Sequence, residues 1–244
     1  SLQIDSNLSM NQLFCLFSYD LKNCKMRIIC LLIGLILTTL SCKSIKIIDK
    51  PIIFDDERKQ LSLEYLEKRY GIVQETPEID PKMIVVHWTA IPSLEKSYEA
   101  FENSKLPNWR PEITAASALN VSSQFLIDQN GRIYRLMPET TMARHVIGLN
   151  HCAIGIENVG GTADLPLTKK QLKANIKLIE YLKEKYPEID YVIGHMEYRL
   201  FEDHPLWKEV DEGYRTQKTD PGQDFIDQIR RSTSSMNWAP VPHK

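Results

Sequence analysis

The chain has 244 residues, of which 43% are hydrophobic and 25% are charged, and its formal net charge is −2. This composition is ordinary for a soluble globular domain with appendages. A nucleic-acid binder would show a strong basic excess, so we expect no nucleic-acid partner.

The N-terminal part contains an apolar run, IICLLIGLILTTL, over residues 28–40, preceded by Arg27. A bilayer span needs about 20 apolar residues, so this run is too short to cross a membrane, and its flanks are typical of a signal-peptide core. It is followed by Cys42, which resembles the acylated cysteine of bacterial lipoprotein signals. The usual large aliphatic residue three positions earlier is replaced by Thr39, so a cysteine placed there by chance is the alternative. We predict an upstream segment and signal peptide over residues 1–41.

A lipid anchor at Cys42 would hold the protein at the bacterial envelope, and the expected location is the periplasmic face of the outer membrane. Cys152 is then the only other cysteine of the mature chain, since the remaining three lie in or before the signal. No intramolecular disulfide is expected, and Cys152 is interpreted as a small core residue.

Residues 42–81 are predicted to form a tether and a helical arm. The helix is expected from Asp55 to Tyr70, because acidic residues begin it, an apolar face follows, and Gly71 ends it. Two prolines then punctuate the chain before the next apolar run.

The main domain is predicted over residues 82–231, followed by a disordered tail over residues 232–244. Apolar runs rich in β-branched residues and an Asn-Gly turn signal indicate strands, and a capping box indicates a helix. The predicted strands cover residues 83–88, 124–128, 132–137, 153–159 and 191–195, and the predicted helices cover residues 93–101 and 168–186. This mixture predicts an α/β fold, a central β-sheet flanked by helices in a single catalytic domain.

Two histidines, His87 and His195, end predicted buried strands. One such histidine is usually structural, but two at rigid strand ends on one sheet edge indicate a metal site. The turn QKTDPG supplies a carboxylate, Asp220, fixed by the proline and glycine that follow it. Two imidazoles and one carboxylate suit Zn²⁺ with a fourth position open, as in catalytic sites. Spacing alone leaves purely structural histidines as the alternative.

Several motifs in this order resemble the type 2 N-acetylmuramoyl-L-alanine amidases, relatives of phage lysozyme-type amidases and of animal peptidoglycan-recognition proteins. The resemblance covers residues 82–231 and depends on the segments IVVHWTA, QFLIDQNGRIYRLM, MARHVIG, AIGIENVGG, YVIGH and QKTDPG. It implies a mixed sheet and zinc ligands at His87, His195 and Asp220. It also implies a catalytic acid at Glu157 and a catalytic lysine at Lys218.

The implied roles are consistent with the chemistry of amide cleavage. A carboxylate at Glu157 would pass a proton from the attacking water to the leaving amine, and Lys218 would place a cation near the developing oxyanion. The alternatives are a strand-edge surface charge for Glu157 and a solvated loop lysine for Lys218.

Three further residues are candidates for substrate binding: His145, Asn150 and Trp88. Structural roles remain open for the first two, and Trp88 is either a cleft wall or core. Between His195 and Asp220 the chain is longer than in compact relatives, and this insert, residues 196–216, is expected to shape one wall of the cleft.

Two departures from the family pattern affect these assignments. The insert contains His204, which is an alternative metal ligand. Gln124 stands where many relatives have an aromatic residue or histidine, which leaves the detailed sugar and peptide contacts open.

The sequence thus predicts zinc-dependent hydrolysis of the amide between N-acetylmuramic acid and L-alanine, in peptidoglycan or its muropeptide fragments, for cell-wall remodelling or recycling. One alternative is a peptidoglycan-recognition lipoprotein without catalytic activity, and another is a lipoprotein with a structural zinc. The first alternative would tolerate loss of a ligand or of the acid, yet all five matching residues are present.

Overall fold

A computed structural model of the protein describes residues 45–107 and 111–243. The predicted signal peptide and the predicted acylation site, Cys42, lie outside the described residues. Among the helices that are described, none is long and apolar enough to cross a membrane.

Over the described residues the chain forms one six-stranded sheet with helices around it. The strands are β1 (Ile47–Asp49), β2 (Met83–Val86), β3 (Phe125–Ile127), β4 (Ile133–Arg135), β5 (Ala153–Asn158) and β6 (Tyr191–Gly194). The helices are α1 (Asp56–Tyr70), α2 (Leu94–Glu102), α3 (Pro111–Thr114), α4 (Lys169–Lys185) and α5 (Gln223–Ser232), with 3₁₀ helices over His195–Phe201 and Ser234–Met236. This is the mixed, helix-flanked α/β sheet that the sequence predicts.

The strand order β1-β4-β3-β5-β2-β6 places β3 and β5 at the centre of the sheet and β1 and β6 at its edges. The pairs β3–β5, β5–β2 and β2–β6 are parallel, whereas β3 and β4 form an antiparallel hairpin. Every residue of β2 and β5 is buried, as expected for parallel strands covered on both faces.

Alternation along the strands divides the core between the two faces of the sheet. Ile84 and Val86 of β2 pack towards α4 and α5, whereas Met83 and Val85 pack towards the opposite layer. That opposite layer contains the loop before β5 and the 3₁₀ helix after β6, represented by Val146 and Phe201 respectively. Burial of each such aliphatic side chain contributes about 1.5–3 kcal/mol to folding. The two packed faces therefore hold the strand ends rigidly.

The predicted helical arm has the ends that its sequence indicates. The side chain of Asp55 accepts a hydrogen bond from the backbone N–H of Arg58, which caps the start of α1. Gly71 ends the helix in the left-handed conformation at φ 66°, a conformation that a side chain would disfavour. The apolar face of α1 packs on the domain through Tyr65 and Leu66.

Two of the predicted appendages differ from the prediction. The tether contains β1, which pairs in parallel with β4, so residues 47–49 extend the sheet. The tail over 232–244 was predicted to be disordered, but its described part contains a 3₁₀ helix and Trp238, whose indole N–H donates to Thr233 Oγ1 at 2.8 Å. Neither feature can be predicted from composition. Residues 47–49 are flanked by polar residues and form a strand only because β4 supplies a partner. The tail is polar, and a single tryptophan anchors it.

The hairpin between β3 and β4 has a longer loop than the three residues, 129–131, that the predicted strands leave between them. Ile127 pairs with Ile133, so residues 128–132 form the loop. The carboxylate of Asp128 accepts hydrogen bonds from the backbone N–H groups of Asn130 and Arg132, and Gly131 takes the positive φ of 77°. A side-chain cap of this kind replaces the tight turn that the sequence alone suggests.

Candidate active site

The strand register brings three predicted site residues to the same edge of the sheet. Val86 of β2 pairs with Gly194 of β6, so His87 and His195 follow the same rung of the ladder. On the other side of β2, Val86 pairs with Ile156 of β5, and the next residue of β5 is Glu157. Because parallel strands end at one edge, the two imidazoles and the carboxylate follow adjacent strand positions.

Alternation also directs these three side chains to one face. His87 shares the face of Met83 and Val85, and His195 shares the face of Ile193. Glu157 shares the face of Ala153, which belongs to the same layer. The residues therefore meet under the loop that precedes β5.

The turn before α5 adds the third predicted ligand. The Oδ2 atom of Asp220 lies 3.2 Å from Nδ1 of His87 and 3.1 Å from Nδ1 of His195. One ligand atom from each of these three residues lies within 4.8 Å of the other two, and all three side chains are buried. The turn is held to the sheet by the backbone N–H of Met196, which donates to the carbonyl of Asp220 at 2.9 Å.

Electrostatics favour an ionised Asp220 beside a neutral His195. Burial raises the pKa of Asp220, but the charges and hydrogen bonds of His195 and His87 outweigh it and hold that pKa well below its usual range. Burial, followed by the charge of His87, lowers the pKa of His195 to about 4. Deprotonated donors of this kind are the form that binds a metal ion.

A cleft with a volume of about 460 Å³ opens above these residues. Glu157 and Lys218 line the cleft together with the three predicted ligands, and Glu157 is only 9% exposed. Trp88 forms part of the wall, where its ring leaves no room for a side chain at Gly161. The structure thus brings the predicted acid, lysine and tryptophan to one cavity.

The other two candidate substrate residues differ in their surroundings. His145 lines the cleft, and its Nδ1 lies 3.0 Å from Nε2 of His87. Burial, followed by the charge of His87, lowers the pKa of His145 well below its ordinary value. Asn150 is buried below the loop, where its side-chain oxygen accepts from the backbone N–H groups of His145 and Val146 at 2.9 and 2.8 Å. Among the described residues, Asn150 lines only a small adjoining cavity.

The insert after His195 lies beside the main cleft. Its residues Tyr214 and Thr216 line the small adjoining cavity, and in the described chain none of 196–216 lines the larger one. The insert thus borders the cleft at this adjoining cavity, which shares His145, His195 and Lys218 with the larger one. Its Trp207 packs against Gly148, which supports the loop that carries His145.

The two departures from the family pattern have structural explanations. His204 lies apart from the ligand cluster, with Nε2 3.1 Å from the hydroxyl of Tyr191 and Nδ1 accepting from the N–H of Leu206. Gln124 is fully buried and braces the sheet, since its side chain accepts from the N–H of Gly155 at 2.7 Å and donates to the carbonyl of Thr141 at 2.8 Å. Neither side chain lines the main cleft.

The far wall of the cleft carries no recognisable signal of a cleft in the sequence. This wall comes from the end of α2 and from the segments around residues 106–107 and 120–122, and it includes Phe101, Asn103 and Asn120. These residues follow no motif spacing. The amphipathic pattern of α2 was the available signal, but it indicates packing rather than a cleft.

The fold and the cleft together define a class: an α/β protein with two imidazoles and a carboxylate on an open sheet edge, beside a buried glutamate and a lysine. The profile of the N-acetylmuramoyl-L-alanine amidase family matches residues 77–223. The chain belongs to this family, and it is a peptidoglycan amidase by class. No curated protein sequence gives a significant match.

Several solved structures resemble the chain at low identity. The N-acetylmuramoyl-L-alanine amidase LysC from Clostridium intestinale is 21% identical, with 78% of this chain and 99% of that chain covered and a TM-score of 0.49. A selenomethionine derivative of AmpD is 21% identical, with coverages of 78% and 95% and a TM-score of 0.47. A human peptidoglycan-recognition protein in complex with a glycosamyl muramyl pentapeptide is 17% identical, with coverages of 65% and 88% and a TM-score of 0.44.

Proposed function

We propose that the protein is a zinc-dependent amidase that cleaves the bond between the lactyl group of N-acetylmuramic acid and L-alanine. The observation that carries the proposal is the convergence of His87, His195 and Asp220 within 4.8 Å at the floor of the cleft. Two imidazoles and a carboxylate are a ligand set that suits Zn²⁺ and leaves a coordination position open. Bound zinc would lower the pKa of a water molecule and would polarise the carbonyl of the substrate as a Lewis acid.

The residues around the ligands supply the proton transfers that an amide needs. An amine leaves only when it is protonated, so one group must take a proton from the attacking water and deliver it to the nitrogen. Glu157 follows the β5 residue that pairs with Val86, lies next to His87 in register, and lines the same cleft. We assign it this role. The half-buried Lys218 lines the same cleft. We assign it the role of stabilising the negative charge that develops on the carbonyl oxygen of the scissile amide.

The alternative function, recognition of peptidoglycan without cleavage, is less well supported by this site. A binding protein has no need of a buried glutamate beside a ligand cluster, because burying an ionisable group is costly. Glycan cleavage is also less well supported, because it usually requires two carboxylates that flank a sugar bond. The cleft carboxylates assigned here are Glu157 and the proposed ligand Asp220.

The test is mass spectrometry of purified sacculi and soluble muropeptides after incubation with the zinc-loaded chain. We expect free peptides that begin with L-alanine and glycan with free lactyl carboxyl groups. The Glu157→Gln variant should keep its zinc and lose turnover by about 10²–10⁴-fold, the usual contribution of a general acid–base group. Glu184→Gln, at an exposed position of α4, is the matched control and should retain full activity.

Three results would contradict this function. The first is new reducing sugar ends without released peptides, and the second is cleavage between amino acids with the muramyl link intact. The third is full activity after exhaustive chelation, which would remove zinc from the proposal. Sacculi that bind the protein but yield no product would support the recognition alternative.

We also propose that the protein is a lipoprotein anchored at Cys42, which would place the catalytic domain beside its polymer. The support is the apolar run over residues 28–40 and the cysteine that follows it. One acyl chain binds membranes only marginally, so stable anchoring would need more than one. Metabolic labelling with a fatty acid should label the wild type and not Cys42→Ser, and an unlabelled wild type would overturn the anchor.

A further inference from the structure

The ring of His145 lies between a proposed metal ligand and a backbone carbonyl. Its Nδ1 is 3.0 Å from Nε2 of His87, and its Nε2 is 3.3 Å from the carbonyl oxygen of Ala153. The two imidazole planes are perpendicular, at 90°, with ring centroids 5.0 Å apart. His145 therefore contacts the nitrogen of His87 that faces away from Asp220.

The partners of these nitrogens determine where the protons lie. A carbonyl oxygen only accepts, so the N–H of a neutral His145 ring is on Nε2 and its Nδ1 carries a lone pair. That lone pair faces Nε2 of His87 at 3.0 Å, which donates to it when the proton of the His87 ring is on Nε2. A neutral His87 with its proton on Nε2 has its own lone pair on Nδ1, the atom that faces Asp220 at 3.2 Å. In the metal-free protein Nδ1 of His87 can instead carry the proton and donate to Asp220, so the contact with His145 favours the tautomer that a metal ligand needs, with its lone pair on Nδ1.

The strand below makes room for this ring with a glycine. A Cβ atom at Gly155 would lie 2.9 Å from Cγ and 3.0 Å from Nδ1 of His145, closer than a carbon atom tolerates. Gly155 is buried in the middle of β5, a position where glycine packs poorly and weakens a strand. The absence of a side chain there is explained by the close approach of the imidazole.

The backbone of His145 is also fixed. The side-chain oxygen of Asn150 accepts from the N–H groups of His145 and Val146, and its amide nitrogen donates to the hydroxyl of Tyr70 at 2.9 Å. Tyr70 is the last residue of α1. The ring is therefore held by the strand below it, by the loop that carries it and, through that loop, by the arm.

We propose that His145 is a positioning residue that fixes the ring orientation and tautomer of His87 for metal binding, with Gly155 providing the space that it needs. This inference rests on the proposed function, since it requires that the cluster binds zinc. Partners of this kind fix the orientation and raise the basicity of ligating histidines in metal sites generally.

The test measures zinc affinity by competition with a chromophoric chelator, on the full chain and independently of turnover. His145→Ala should raise the Kd for zinc by about 10–100-fold, the usual cost of removing such a partner. His145→Asn, whose side-chain oxygen can accept in place of Nδ1, should recover much of this loss. His204→Gln, which removes a histidine outside the ligand cluster, should leave the affinity unchanged.

A double substitution separates this role from general damage to the fold. Gly155→Ala should weaken zinc binding when His145 is present and add little in the His145→Ala background, because the clash then has no partner. Equal effects in both backgrounds would assign the loss to the strand and overturn the role of Gly155. Circular dichroism of each metal-free variant checks that it folds.

The wild type provides a readout that needs no variant. Long-range ¹H–¹⁵N correlation spectra of the zinc-loaded protein should show His145 protonated at Nε2 and unprotonated at Nδ1. The opposite tautomer, or unchanged zinc affinity in a folded His145→Ala, overturns the inference while the proposed function stands. A wild type that binds no zinc at all overturns the proposed function instead.

Discussion

At the scale of single residues, His151 shows how folding changes a titration outside the catalytic cluster. The side chain is half-buried, and its ring meets that of Tyr70 edge-on at 5.4 Å. Burial, followed by the charge of Lys208, lowers its pKa from 6.5 to about 4. Between these two pH values His151 is therefore largely neutral in the folded protein and largely protonated in the unfolded chain.

The expected consequence is a loss of stability as the pH falls from about 6.5 to about 4. In this window the unfolded state binds more protons than the folded state, so the free energy of unfolding decreases with decreasing pH. His151→Phe, which keeps a ring against Tyr70, should reduce the decrease between pH 7 and pH 5 by on the order of 1 kcal/mol. Urea titrations at the two pH values measure it. An identical decrease in both proteins would show that His151 does not titrate in this way.

The residues of the ligand cluster were accessible to sequence reasoning, but their partners were not. His87 and His195 end apolar runs, and a strand end is a place where alternation and parallel pairing can be anticipated. His145 could be predicted only as a cleft residue, because its bond to His87 depends on how a loop folds over the sheet. The same holds for Gly155, which in the sequence is one small residue in a strand.

At the scale of elements, the apolar strands and the capped helices could be predicted from their local sequence. The apolar runs of β2, β5 and β6 and the capping box that begins α4 lie where they were predicted. Helix α4 buries Leu178, Ile179 and Leu182, as its apolar pattern indicates, but it also buries polar residues. Its buried face includes Gln171 and Asn175, whose amides bond to the carbonyl of Val159 and the side chain of Asn158. Periodicity could not show this, because the polar partners lie on another element.

Elements that form only through contacts with residues distant in the sequence could not be predicted either. Strand β1 exists because β4 offers it an edge, and the tail is held because the N–H of Ala239 donates to the carbonyl of Asp190. The local sequence of both segments is typical of a loop or a disordered tail, and nothing in it indicates regular structure. Long-range pairing was therefore the part of the fold that the sequence pattern left open.

At the scale of the whole domain, the segment before the family match contributes to the cleft. The family profile matches residues 77–223, whereas α1 lies before that range. From α1 the guanidinium of Arg58, 1% exposed, donates to the carbonyl oxygens of Phe101 and Glu102 at 2.8 and 3.2 Å. These are the last residues of α2, and Phe101 lines the cleft. The arm thus caps the helix that forms the far wall.

The last prediction follows from this link between arm and wall. The carbonyl groups at the end of a helix have no partners within it. Removing Arg58 takes the donor at 2.8 Å from the carbonyl of Phe101, whereas the carbonyl of Glu102 still accepts from the N–H of Ile53 at 3.3 Å. Arg58→Met should lower the free energy of unfolding by about 1–3 kcal/mol, the usual cost of one buried acceptor left unsatisfied. KM for muropeptides should rise more than kcat falls, because the wall moves while the acid and the ligand cluster stay in place.

Gln60→Met, at an exposed position of the same helix, is the control and should change neither quantity. Urea unfolding and steady-state kinetics of the zinc-loaded proteins measure the two effects. Destabilisation with an unchanged KM would mean that Arg58 holds the arm to the domain without shaping the cleft. An unchanged free energy of unfolding would mean that the carbonyls at the end of α2 find other donors, and the arm would then have no part in forming the wall.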